Sequence, residues 1–125
     1  MERFEIQATQ KMPKVIIDPE YGLFEICGNS IPEDAGVFYK NILKKLEEYF
    51  LAPHPLTIVN ISLRYYNTST ARWLFNLFKA IKRNREQGHE IFIKWYYDDG
   101  DEESYGTAVD YSKLLNIPIR LLKAS

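Results

Sequence analysis

Two stretches of this chain, LTIVNISLRYY (56–66) and HEIFIKWYY (89–97), alternate apolar and polar residues with a period of two. The segment between them repeats with the period of a helix instead. Strands separated by a helix cannot form a hairpin; they lie parallel in one sheet, joined by a right-handed crossover. In the first stretch Val59, Ile61, Leu63 and Tyr65 share one face, and Ile58, Asn60, Ser62, Arg64 and Tyr66 share the other. In the second, Ile91, Ile93, Trp95 and Tyr97 face one way. A parallel strand covered on both faces reads as a continuous apolar run, so this alternation predicts helices on one face only. It also predicts Tyr65 inward and Tyr66 outward, which makes Tyr66 the better contact residue.

The flanking segments extend the pattern. PKVIIDPEYGLFEICGN carries two β-prone runs around Pro19 and Gly22 and reads as a β-hairpin. Phe38, Ile42, Leu46 and Phe50 follow at helical spacing after acidic Glu33 and Asp34, predicting a helix from about Asp34 to Leu51. Trp73, Leu74, Leu77, Phe78 and Ile81 define a second helix, closed by Lys82, Arg83, Arg85 and the stop residue Gly88. DDGDEESYGTAVDYSKLLN predicts a third helix and IPIRLL a last strand. The expected order is ββαβαβαβ: an α/β fold with an open mixed sheet, an N-terminal hairpin and helices mainly on one face, of the STAS (sulfate-transporter/anti-sigma-antagonist) type. At 125 residues, 1–125 is expected to form one domain. Its core gathers Val59, Ile61, Leu63, Ile91, Ile93 and Trp95 under Phe38, Leu46, Leu74 and Phe78.

Charge and residue usage narrow the functions. Sixteen basic against seventeen acidic residues leave no basic excess for nucleic acid. No run approaches the roughly 18 apolar residues of a membrane span, and MERFEIQATQ has no apolar signal core, so no membrane insertion and a cytoplasmic location are expected. The single cysteine, Cys27, forms neither an internal disulfide nor a zinc cluster. His54 and His89 have no partner at metal or triad spacing. No catalytic residues, metal or cofactor are therefore assigned. The acidic group Asp98, Asp99, Asp101, Glu102 and Glu103 is read as a solvated loop whose acids favour the N-terminus of the next helix. Its alternative is a small metal-binding or enzymatic domain using the Asp98–Glu103 loop, through carboxylates holding Mg²⁺ or Ca²⁺.

RYYNTSTAR (64–72) lies where the alternating strand becomes a helix. Asn, Ser and Thr are strong N-caps, and one is enough at such a junction. Thr68, Ser69 and Thr70 after Asn67 exceed that need. A second reading is a phosphorylation site, since a helix N-terminus accommodates a phosphate's charge while the local surface changes sharply.

With GNSIPEDAGVFYKNI, YYNTSTAR and WYYDDGDEE in this order and spacing, the chain resembles the SiaC family of regulatory phosphoproteins over nearly its full length. The resemblance implies a STAS-like partner-switching regulator without catalysis of its own. The threonine of its NTS motif corresponds to Thr68, phosphorylated by a cognate kinase and dephosphorylated by a PP2C-type phosphatase. The unmodified form engages a downstream effector, a diguanylate cyclase in the family's type system. Ser69 and Thr70 are the alternate acceptors. Asn67 and Ser69 are expected to shape the turn, Tyr65 and Tyr66 to end the strand beside it, and Arg72 to face the phosphate from the first helical turn. Asp98, Asp99 and Asp101 form a second contact surface.

Overall fold

The computed structural model describes residues 1–124, which form six strands and three helices. In chain order these are β1 (Phe4–Ile6), β2 (Lys14–Asp18), β3 (Leu23–Ser30), α1 (Ala35–Phe50), β4 (Leu56–Tyr66), α2 (Thr68–Glu86), β5 (Glu90–Tyr97), α3 (Glu102–Leu115) and β6 (Arg120–Lys123). The strands lie in one sheet in the order of the chain, β1 to β6. The β1–β2 and β2–β3 pairs are antiparallel; β3 to β6 are parallel. The expected mixed α/β sheet with its N-terminal hairpin is present, with one element more. β1 occupies the charged N-terminus, where three residues are too few for a periodic signal.

The core lies between the sheet and the helices. Val15, Ile17, Phe24, Ile26, Val59, Ile61, Ile93 and Trp95 come from the sheet and are essentially inaccessible. Tyr39, Ile42 and Leu46 of α1, Leu74, Leu77, Phe78 and Ile81 of α2, and Ala108 of α3 close over them. On α1 the buried stripe runs through Tyr39 and Tyr49, one position on from Phe38, which is only half-buried. A phenol enters such a core when its hydroxyl is satisfied. Tyr49 meets Thr57 at 2.7 Å, and Tyr39 meets Ser30 at 2.6 Å. Trp95 donates its ring N–H to Ser104 at 3.0 Å, fixing α3 against β5.

The alternation of β4 holds from Thr57 to Leu63 and then breaks. Gly28 of β3 pairs with Leu63, but the next residue, Asn29, pairs with Tyr65. Arg64 is the extra residue of a β-bulge, and Gly28, at φ 120°, sits opposite it in a conformation that favours glycine. One inserted residue exchanges the two faces beyond it.

A junction at the C-terminal edge of the sheet

The bulge determines the arrangement of the candidate site. Against the sequence expectation, Tyr65 points out and is 64% exposed. Tyr66 points in, packs on the core and donates to Thr107 of α3 at 3.1 Å. Burial raises the Tyr66 pKa, partly offset by the hydrogen bond to Thr107. Tyr65 is thus the exposed member of the pair.

Three helices begin at this edge of the sheet. Each is capped by its own side chain: Asp34 accepts from the Val37 amide, Asn67 from the Thr70 amide and Asp101 from the Ser104 amide. The α2 cap is neutral, and no acid lies in its first turn; α3 has an acidic cap followed by Glu102 and Glu103. The positive end of the α2 dipole therefore has no nearby carboxylate from its own first turn.

The three adjacent hydroxyls have three different environments. Thr68 is the first residue of α2; it is exposed, and its hydroxyl has no hydrogen-bond partner among the described residues. Ser69 is half-buried and donates to Asn67 Oδ1 at 2.9 Å. Thr70 is completely buried and donates to the Ser30 carbonyl at 2.9 Å. Its Oγ1 also lies 2.8 Å from Ser30 Oγ, which lies 2.6 Å from the Tyr39 hydroxyl. A carbonyl only accepts, so the Thr70 proton is committed to Ser30 O. Ser30 must then donate to Thr70 Oγ1, and Tyr39 to Ser30 Oγ. This directional chain ties α1, β3 and the first turn of α2 together. Burial raises the Tyr39 pKa, with its hydrogen bonds to Ser30 and Thr70 acting the other way. Neither Ser30 nor Tyr39 stands out in the sequence, because their significance depends on a contact with Thr70 across the fold.

The other candidates are placed nearby. Arg72 is exposed one turn beyond Thr68. Asp98 pairs with the bulged Arg64 at 3.4 Å, Asp99 with Lys123 at 3.4 Å, and Asp101 caps α3. The three carboxylates go to three different partners. No cluster of three or more His, Cys, Asp or Glu suited to a metal occurs among the described residues. A hollow of about 370 Å³ at the end of β4 is lined by Ile31, Arg64, Tyr65, Tyr66, Asp101, Glu103 and Ser104. Ile31, 40% exposed, adds an apolar contact that the strand and helix periodicities did not single out. No helix among the described residues is long and apolar enough to cross a membrane.

Comparisons with known proteins converge on one group. The family model for SiaC family regulatory phosphoproteins matches residues 6–124. An uncharacterised protein of Pseudomonas aeruginosa (strain UCBPP-PA14) is 20% identical over 121 residues, covering 97% of this chain and 96% of its own. Apo-SiaC of Pseudomonas aeruginosa superposes with a TM-score of 0.88 at 19% identity, over 98% of this chain and 99% of that one. The crystal structure of the diguanylate cyclase SiaD in complex with its activator SiaC, from the same organism, matches with a TM-score of 0.88 at 19% identity, over 97% and 99%.

Proposed function

The chain belongs to the SiaC family of regulatory phosphoproteins, and on that premise we propose that it is a non-enzymatic switch whose docking to an effector is gated by phosphate on Thr68. The observation that carries the proposal is the sorting of the three hydroxyls. Thr68 alone is exposed and unengaged at the first position of α2, whereas Ser69 supports the cap and Thr70 is buried. A phosphate there meets free backbone N–H groups and the uncompensated end of the helix dipole. The folded state accepts the charge; the partner surface does not.

The effector is a diguanylate cyclase or an enzyme of similar kind, on the precedent of SiaD and its activator SiaC. A cognate kinase writes the mark and a PP2C-type phosphatase removes it, in the cytoplasm. The unmodified chain docks through Tyr65 and Ile31, which line the hollow at the end of β4, Tyr65 lying three residues before Thr68. On docking, a phosphate on Thr68 must be stripped of water against the partner's surface. A charge left buried and unpaired costs several kcal/mol, and each 1.4 kcal/mol is tenfold in affinity. The expected loss is a hundredfold or more.

The test is a titration of effector against the phosphorylated and unphosphorylated chain, with mass spectrometry locating the phosphate. Thr68→Ala is expected to bind constitutively. Asn67 remains the cap in that variant, so its stability stays within about 0.5 kcal/mol. Equal affinities of the two forms would end the proposal, as would phosphate found only elsewhere on the chain.

A further inference from the structure

The sheet face turned away from the helices has no covering element among the described residues, and its residues are arranged in cross-strand rows. The central row reads Glu5, Ile16, Glu25, Asn60, Lys94, Arg120 from β1 to β6. Acids stand on one side of Asn60 and bases on the other. On the near half Glu5, Asp18 and Glu25 outnumber Arg3 and Lys14 by one; on the far half Lys94 and Arg120 outnumber Glu90 by one. The row below it is apolar, with Leu23, Ile58 and Phe92 side by side and Phe92 40% exposed. The row above carries Cys27, Ser62, Tyr96 and Leu122. There a hollow of about 340 Å³ spans the middle of the sheet, lined in part by Cys27 and Gly28 of β3, Ser62 and Tyr65 of β4, and Tyr96 of β5.

Charge thus changes sign across this face, with β4 at the midline. We propose that a second copy of the chain covers it, the two sheets packing face to face about a two-fold axis that runs along β4. That axis lays β3 of each copy over β5 of the other. Glu25 then faces the copy's Lys94, Leu23 faces its Phe92, and Cys27 faces its Tyr96. Each contact occurs twice, as a closed two-fold interface requires. Aligned sheet packing of this kind is the ordinary geometry of two-layer β interfaces. A two-fold axis across the strands would instead set Lys94 against Lys94, so the charges select one arrangement. Lys14, which holds Glu25 at 3.4 Å within the chain, leaves that carboxylate a second oxygen for the copy. Thr68 lies at the end of the sheet and not on this face, but Tyr65 lines the hollow here as well as the one at the end of β4, so the dimer and the effector meet at that residue.

The experiment is sedimentation equilibrium of the purified chain at concentrations up to about 1 mM, the range that captures weak association. The wild type is expected to dimerise, and added salt to weaken the dimer. Glu25→Lys and Lys94→Glu each set like charges opposite one another twice, and each is expected to weaken association at least tenfold. Lys94→Met keeps the aliphatic stem and is expected to weaken it less. Mixing Glu25→Lys with Lys94→Glu restores opposite charges at both contacts, so the mixture is expected to form a heterodimer that neither variant matches alone. This mixing also shows that both variants are folded. A wild type that stays monomeric throughout, or a dimer indifferent to both charge reversals, or a mixture no tighter than its parts, overturns the proposal.

Discussion

Replacing Thr70 by valine keeps the volume and branching of the side chain and removes one hydroxyl from the buried chain Tyr39–Ser30–Thr70. Helix propensity changes little, since threonine and valine rank together. The Ser30 carbonyl stays satisfied, because the Asn67 amide still donates to it at 3.2 Å. The Ser30 hydroxyl does not, as its acceptor has gone. It can turn to Tyr39, but the phenol proton is then stranded. Two hydrogen bonds are lost and one buried donor is left unpaired, which costs about 1–3 kcal/mol. At this chain length that is a fall in Tm of about 4 °C per kcal/mol. Thr68→Val, two residues earlier, is expected to stay within about 0.5 kcal/mol, because its hydroxyl is exposed and unengaged. The directional chain adds a sharper requirement. Ser30→Ala must cost less in the Thr70→Val background than in the wild type, with a coupling of at least about 0.5 kcal/mol, because one of the two hydrogen bonds it removes is already gone there and the phenol proton it strands is already stranded. Urea denaturation of the four proteins measures all of this. A Thr70→Val change within about 0.5 kcal/mol, or strict additivity with Ser30→Ala, would show that the hydroxyls are not acting as one chain.

Truncating Leu63 to alanine removes the last buried side chain of β4 before the bulge and is expected to cost about 2–5 kcal/mol, whereas Tyr65→Ala is expected to leave stability within about 0.5 kcal/mol and impair effector binding; chemical denaturation and an effector titration check the pair. Burial raises the pKa of Tyr39, Tyr66 and Tyr111 in the folded chain. The unfolded chain therefore loses these protons first. The stabilisation is fully present below the unfolded tyrosine value of about 10 and is lost progressively as pH rises through the folded values. Tyrosinate absorbance followed alongside far-UV circular dichroism is expected to show these three of nine tyrosines ionising only as the fold melts; a full tyrosine titration with the fold intact would contradict it.

The order of strands and helices was legible because both periodicities are long and uninterrupted between Leu56 and Tyr97. The hydroxyl cluster was legible as a junction, but not its sorting. Which of Thr68, Ser69 and Thr70 is buried depends on Ser30, forty residues earlier, reaching the first turn of α2. The inversion of Tyr65 and Tyr66 could not be read at all. A bulge is a property of two paired strands, and two adjacent tyrosines look equally suited to either face. On α1 the expected Ile42, Leu46 and Phe50 are buried, and only the first position of the stripe was misread, for a related reason. Phe38 and Tyr39 both fit helical spacing; the choice of the phenol follows from a hydroxyl acceptor on β3 that periodicity does not encode.

A sheet whose spatial order repeats its chain order has a temporal meaning as well. As the chain leaves the ribosome, every new strand finds its pairing neighbour already made, and none has to hold a gap open for a later arrival. The hairpin of β2 and β3 offers a template, and each later strand joins it across a single helical crossover and never across the whole chain. Loop-closure entropy is therefore met in small instalments, which favours rapid folding despite the parallel pairing. Besides the outer edge of β1, an arrested nascent chain exposes one unpaired parallel strand at a time, the growing edge, where misassembly between neighbouring chains can begin.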